Sequence, residues 1–298
     1  MDHLNYLERE AIEILRETAF QFERPVLLFS GGKDSICMVH LARLAFAPHP
    51  IPFTLLHIDT GHNFTETLTF RDELVHTMGL SIEVRSVVEA MRKREIPEPK
   101  LKFPSRNAMQ SFALLDAIQE LNIDACIGGG RRDEDKARAK ERIFSFRDHE
   151  GTWNPLSQRP EPWTMLNGRI NPGENVRVFP LSNWTELDVW NYIQREQIAL
   201  PSLYFTHERL CVELPDGALM AYNPYVRLES TDVLVERKVR FRTIGDMTCT
   251  AAIPSMAGSV EEVITELNQT QLSERGATRL DDRISEAGME DRKRQGYF

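Results

Sequence analysis

Apolar residues recur along the chain in two alternating rhythms. Leu7, Ala11, Ile14, Leu15, Thr18 and Phe22 fall three and four apart, one stripe of a helix over residues 5–22. Pro25 follows, then the unbroken apolar run 26–29, which reads as a buried strand. A polar, glycine-rich hexapeptide occupies 30–35. Residues 36–46 return to a helical pattern that Pro48 and Pro50 close. The unit then repeats. Residues 53–58 read as a second strand, 64–78 as a helix stopped by Gly79, and 81–85 as a third strand. Residues 105–121 predict a helix with Met109, Phe112, Leu115 and Ile118 on its buried face. Residues 125–127 form a fourth strand running into Gly128, Gly129 and Gly130, and 176–181 a fifth. Thr185 reads as an N-cap, with Asp188 three residues later and Leu187, Trp190 and Ile193 behind it.

Strands alternating with helices predict an α/β fold, a twisted parallel sheet with helices on both faces. Ligands of such sheets sit beyond the carboxyl ends of the strands. Three polar segments fall there: 30–35, 59–66 and 128–147. Past residue 200 the rhythm weakens. The expected division is therefore an α/β nucleotide-binding domain over 1–200 and an irregular C-terminal region over 201–298, ending in a charged tail. Residues 273–298 hold six acids and six bases in 26 residues, with few apolar groups to offset ordering entropy.

Composition narrows the function classes. At 41% hydrophobic and 27% charged, the 298-residue chain is globular rather than fibrous or disordered. No window approaches a membrane helix, and the acids within the first 20 residues do not suit a signal peptide, so a cytoplasmic protein is expected. The net charge of −9 argues against nucleic acid as a partner. Cys37, Cys126, Cys211 and Cys249 form no C-x-x-C pair, so they read as reduced, buried thiols rather than metal or iron–sulfur ligands.

The chemistry concentrates in the three loop segments. Ser30-Gly31-Gly32-Lys33-Asp34-Ser35 joins a strand to a helix, where backbone N–H groups and the positive helix end attract anions. The glycines admit close approach, Ser30 and Ser35 add hydroxyl donors, and Lys33 adds charge. Asp34 does not suit bare phosphate and points to Mg²⁺ or to loop geometry. The loop matches neither G-x-x-x-x-G-K-[ST] nor G-x-G-x-x-G, which excludes a Walker-type NTPase and leaves a dinucleotide fold without support. Asp59 ends the second strand at the ligand-facing edge. His57 and His62 lack the companions that a zinc site needs and read as packing residues. From Arg131 to Arg142 there are six bases and four acids. A solvated, salt-bridged helix is the plain reading of such a run. Three glycines leading from a strand end into Arg131 and Arg132 instead point to oxyanion binding, with Arg131, Arg132, Lys136 and Arg138 as candidates for an α-phosphate or a small acceptor.

The hexapeptide SGGKDS resembles the PP-loop of the ATP pyrophosphatase (adenine nucleotide α-hydrolase) superfamily. Taken with HIDTGHNFTE, GGGRRDEDKARAKERIFSFRD, RVFPLSNWTELDVWNYI and the tail from 273, the chain resembles the small subunits of bacterial sulfate adenylyltransferases from about residue 10 onward. The arginine block and the tail carry that narrower likeness. The resemblance implies that ATP and sulfate give adenosine 5′-phosphosulfate and pyrophosphate, with Mg²⁺ accompanying ATP. It implies a nucleotide site at Ser30, Gly31, Gly32, Lys33, Asp34, Ser35 and Asp59. Lys33, Arg131 and Arg132 are the expected catalytic cations. The family's uphill reaction is driven by GTP hydrolysis on a larger GTPase subunit, the expected partner, and the irregular 200–260 region, with its stretch 245–254, is a candidate docking surface. Three rivals were weighed. An adenylyl- or phosphoadenylyl-sulfate reductase needs a cysteine near the C-terminus, and the last 49 residues have none. A tRNA-modifying PP-loop enzyme brings cysteine pairs or a basic domain, and neither is present. A regulatory nucleotide-binding subunit would not need the intact loop and arginine block.

Overall fold

A computed structural model describes residues 2–135 and 138–269. Helix α1 (His3–Gln21) buries Leu7, Ala11, Ile14, Leu15 and Thr18, the stripe read from the sequence. The α/β units follow as β1 (Pro25–Leu28), α2 (Lys33–Phe46), β2 (Thr54–Asp59), α3 (Thr65–Met78), β3 (Ile82–Ser86), α4 (Val87–Lys93), α5 (Gln110–Leu121) and β4 (Ala125–Ile127). Then come β5 (Phe144–Arg147), β6 (Asn175–Val178) and α6 (Glu186–Glu196). The sheet order is β3-β2-β1-β4-β6-β5. Five strands run parallel, and only the edge strand β5 is antiparallel.

Period-2 alternation splits the core between the two faces. Leu27, Phe29, Leu55, Ala125, Ile127, Val176 and Val178 face α1, α2 and α6. Val26, Leu28, Leu56, Ile58 and Cys126 face α4 and α5. Helix α5 differs from its expected stripe. It buries Ala113, Leu114 and Ala117, while Met109, Phe112 and Ile118 pack at the margin. Small side chains let the helix lie close to the sheet, and the larger ones flank the contact. Helix α4 was not read from the sequence, although Ser86 caps it by accepting from the Glu89 N–H at 3.4 Å.

The region beyond residue 200 holds more regular structure than its weak rhythm suggests. Strands β7 (His207–Glu213), β8 (Leu219–Ala221), β9 (Val233–Arg240) and β10 (Ala251–Pro254) close into a small antiparallel barrel, followed by α7 (Val260–Gln269). Cys211, Leu219, Ala221, Val239, Phe241, Ala252 and Val263 join the same apolar core as α1, α2 and α6, so this lobe is packed onto the α/β layer. Asp246 and residues 248–252 are buried, which turns most of the candidate docking stretch 245–254 inward. The tail from 273 lies outside the described residues.

Candidate active site

The strand order reverses at β1, whose neighbours are β2 on one side and β4 on the other. The crevice beyond their carboxyl ends is the expected ligand position, and the cleft found there is lined by Ser30, Gly32–Ser35, Gly128–Gly130 and Arg138. The structure therefore brings together all three sequence segments, the 59–66 stretch through Asn63. Gly32 is the N-cap of α2 and offers no side chain to its first turn, leaving the positive helix end to the cleft. The loop is braced internally. Ser30 Oγ accepts from the Gly32 N–H and lies 3.3 Å from Ser35 Oγ, and Ser35 donates to the Gly32 carbonyl at 2.8 Å. Gly31 sits at φ +76°, and a Cβ there would fall 2.5 Å from Thr67 Cγ2. This position requires glycine on both counts.

The cations are held rather than loose. Lys33 is only 1% exposed, with Nζ 3.2 Å from Asp34 Oδ2. The Arg131 guanidinium pairs with Asp34 Oδ1 and reaches Asp133 Oδ1 at 3.0 Å. Asp34 thus stands between Lys33 and Arg131 and aligns both. Asp133 in turn accepts from the Glu186 N–H at 2.7 Å, and Glu186 forms a forked, buried pair with Arg242. Arg242 leads directly into 243–246, which rims the cleft. Ion pairs and one backbone hydrogen bond therefore link the loop lysine to the C-terminal lobe.

Other candidates are placed differently. Arg132 reaches Asn183, which bonds Glu10 of α1, so its guanidinium is engaged away from the loop. Asp59 accepts from the Gly61 N–H at 2.7 Å and shapes its own turn outside the cleft lining. Arg138 lines the cleft, lies over the Phe179 ring at 5.4 Å and meets Glu141 at 2.8 Å. Lys136 lies outside the described residues.

Sequence reading missed several cleft residues. Tyr204 Oη accepts from the Lys33 N–H at 2.7 Å. Asp246 accepts from Thr60 Oγ1 at 2.6 Å, and Asn107 with Gln110 forms the wall near Leu28 and Leu56. Nothing in the local sequence around Tyr204 or Asp246 distinguishes them, because both arrive from a lobe 170 residues or more downstream. His57 Nδ1 bonds the Phe29 carbonyl at 2.8 Å, and burial lowers its pKa. His62 packs against Tyr225, and burial together with Arg106 lowers its pKa to about 4. Both histidines are neutral packing groups. Among the described residues no three His, Cys, Asp or Glu side chains group as a metal site. All four cysteines are free and buried. Burial pushes the thiols of Cys37, Cys126 and Cys211 upward, Cys211 to about 11.

Residues 24–252 match the phosphoadenosine phosphosulfate reductase domain family. Sulfate adenylyltransferase subunit 2 of Mycolicibacterium gilvum is 57% identical over the whole chain and 95% of its own length. The protein of that name from Mycobacterium tuberculosis is 55% identical with the same coverage. Among solved structures, FMN adenylyltransferase of Candida glabrata aligns over 92% of this chain and 87% of its own, at 14% identity and a TM-score of 0.48. Identity of 55–57% to these relatives over 298 residues places the chain in the sulfate adenylyltransferase subunit 2 family.

Proposed function

We propose that this chain adenylylates sulfate. A sulfate oxygen attacks the α-phosphorus of ATP, the bond from that phosphorus to the β-bridging oxygen breaks, and pyrophosphate leaves with the electron pair. The observation that carries this reading is the N-terminal end of α2 beside the buried Lys33, facing the Gly128–Gly130 strand end across one cleft. Sulfate arrives deprotonated, so no general base is needed. The task is positioning and charge stabilisation at the α-phosphate. The loop amides and Lys33 suit the departing pyrophosphate, and Arg131, aligned through Asp34 and Asp133, suits the charge that builds during transfer. Asp34 has both oxygens turned to cations and is therefore already engaged. Magnesium would be held by the phosphates of ATP.

A reductase is the poorer fit, because every thiol is buried. The relatives are named as a second subunit, and we infer a larger GTPase subunit whose GTP hydrolysis drives the uphill step. A cytoplasmic setting suits this reading. No described helix is long and apolar enough to cross a membrane.

The test is pyrophosphate release from ATP, with and without sulfate, by the chain alone and then with its GTPase and GTP. Release that requires sulfate and rises with GTP turnover is expected. Release indifferent to sulfate would send the search to another acceptor. Lys33→Ala should lower sulfate-dependent turnover at least about 100-fold while the variant stays folded, and unchanged turnover would remove Lys33 from the mechanism.

A further inference from the structure

Strands β5, Phe-Ser-Phe-Arg, and β6, Asn-Val-Arg-Val, alternate apolar and polar residues. Such alternation ordinarily marks a sheet with one wet face. Here all eight residues are buried. Register sets Ser145 beside Arg177 and Arg147 beside Asn175, with Cys126 on the other flank of Arg177. The face opposite Val176 and Val178 is therefore dry and cationic at this edge.

Arg147 is partnered: Nη2 meets Glu141 at 2.8 Å and Nη1 meets Ser145 Oγ at 2.8 Å. Glu141 gives its other oxygen to Arg138, the member of this row that lines the cleft. Arg177 is different. It is fully buried, and Nε, Nη1 and Nη2 all lack a hydrogen-bond partner. The Cys126 thiol beside it is a weak acceptor and carries no charge. Burial lowers the Arg147 pKa to about 10 against the pull of Glu141, and the charge of Arg177 adds to that lowering. A guanidinium does not escape such a position by losing its proton. An uncompensated buried cation is costly, and its field extends far through a low-dielectric interior.

We propose that Arg177, Arg147 and Arg138 form an oxyanion subsite. Its open end at Arg138 receives the acceptor, a tetrahedral dianion of the sulfate class, and Arg177 attracts it from within the sheet. This rests on the reading of sulfate as acceptor. It moves the acceptor away from Arg132, which is engaged at Asn183. Arg177 is then a positioning residue that acts through its field.

The test uses the full chain and two readouts, sulfate binding by calorimetry and the KM values for sulfate and ATP. Arg177→Met should weaken sulfate binding at least about ten-fold, leave ATP affinity within about two-fold, and not lower the thermal midpoint, since it removes an uncompensated buried charge. Arg177→Lys should retain most of the affinity. Glu141→Gln removes compensating negative charge and should tighten sulfate binding, a sign that a merely structural role does not produce. Unchanged sulfate affinity in folded Arg177→Met would overturn the subsite, as would an equal loss of ATP affinity. If Arg177→Met does not fold, weaker or unchanged binding in Glu141→Gln overturns it instead. Sulfate that binds as expected, while pyrophosphate release ignores it, would refute the acceptor reading and leave the oxyanion site standing.

Discussion

Gly31→Ala tests the loop geometry most sharply. Two costs combine. At φ +76° an L-residue carries a backbone penalty of about 1–2 kcal/mol. The new methyl also meets Thr67 Cγ2 at 2.5 Å, where something must shift. Thr67 cannot swing away easily, because a β-branched side chain in a helix is stiff at χ1 and this one is 1% exposed. Overpacking of that kind costs about 1–3 kcal/mol. The smaller entropy of the unfolded alanine chain favours the fold and offsets up to about 1 kcal/mol of these costs. The net loss should be about 1–5 kcal/mol, or about 2–20 °C in thermal midpoint for a domain of this size. Urea unfolding of Gly31→Ala, Thr67→Ala and the double variant forms the assay. Thr67→Ala alone should cost little, since the Thr67 hydroxyl is buried without a partner. The double variant should recover the steric share, about 1–3 kcal/mol, and keep the backbone share. ATP affinity should fall in Gly31→Ala and recover only in part. A single variant as stable as the parent, or a double variant showing no coupling, would refute the argument.

Other outcomes follow from the same geometry. Arg242→Met leaves Glu186 as a buried carboxylate stripped of its forked partner and should cost about 3–5 kcal/mol in urea unfolding; adding Glu186→Met should recover much of that loss. Thr185→Ala breaks a reciprocal capping box with Asp188 at the start of α6 and should cost about 1 kcal/mol. His62 has its pKa lowered from 6.5 to about 4, so the folded protein resists protonation that the unfolded chain accepts. Stability is therefore fully present above pH 6.5 and declines as the pH falls toward 4, with His57 contributing in the same direction. Thermal midpoints at pH 7.5, 6.0 and 5.0 should show that decline, and it should be shallower in His62→Phe; equal slopes would refute the assignment.

The local sequence determined the elements whose signals are local. Leu7 to Thr18 mark α1 by spacing alone, and the apolar run after Pro25 with SGGKDS behind it fixes a strand, a glycine turn and a helix start within 20 residues. Thr185 and Asp188 announce α6 through hydrogen bonds made three residues apart. The barrel strands were not legible, because short strands gain their partners from segments tens of residues away. Only the tertiary structure decided that Tyr204 and Asp246 reach the loop from the C-terminal lobe, and that Arg132 turns toward Asn183 while Arg131 turns toward Asp34. Adjacent arginines carry the same local signal, and packing chose between them. The polar faces of β5 and β6 make the same point. Their alternation reads as solvent-facing, yet the fold closes over both faces. Periodicity records which residues share a face, whereas burial depends on what the rest of the chain lays over it.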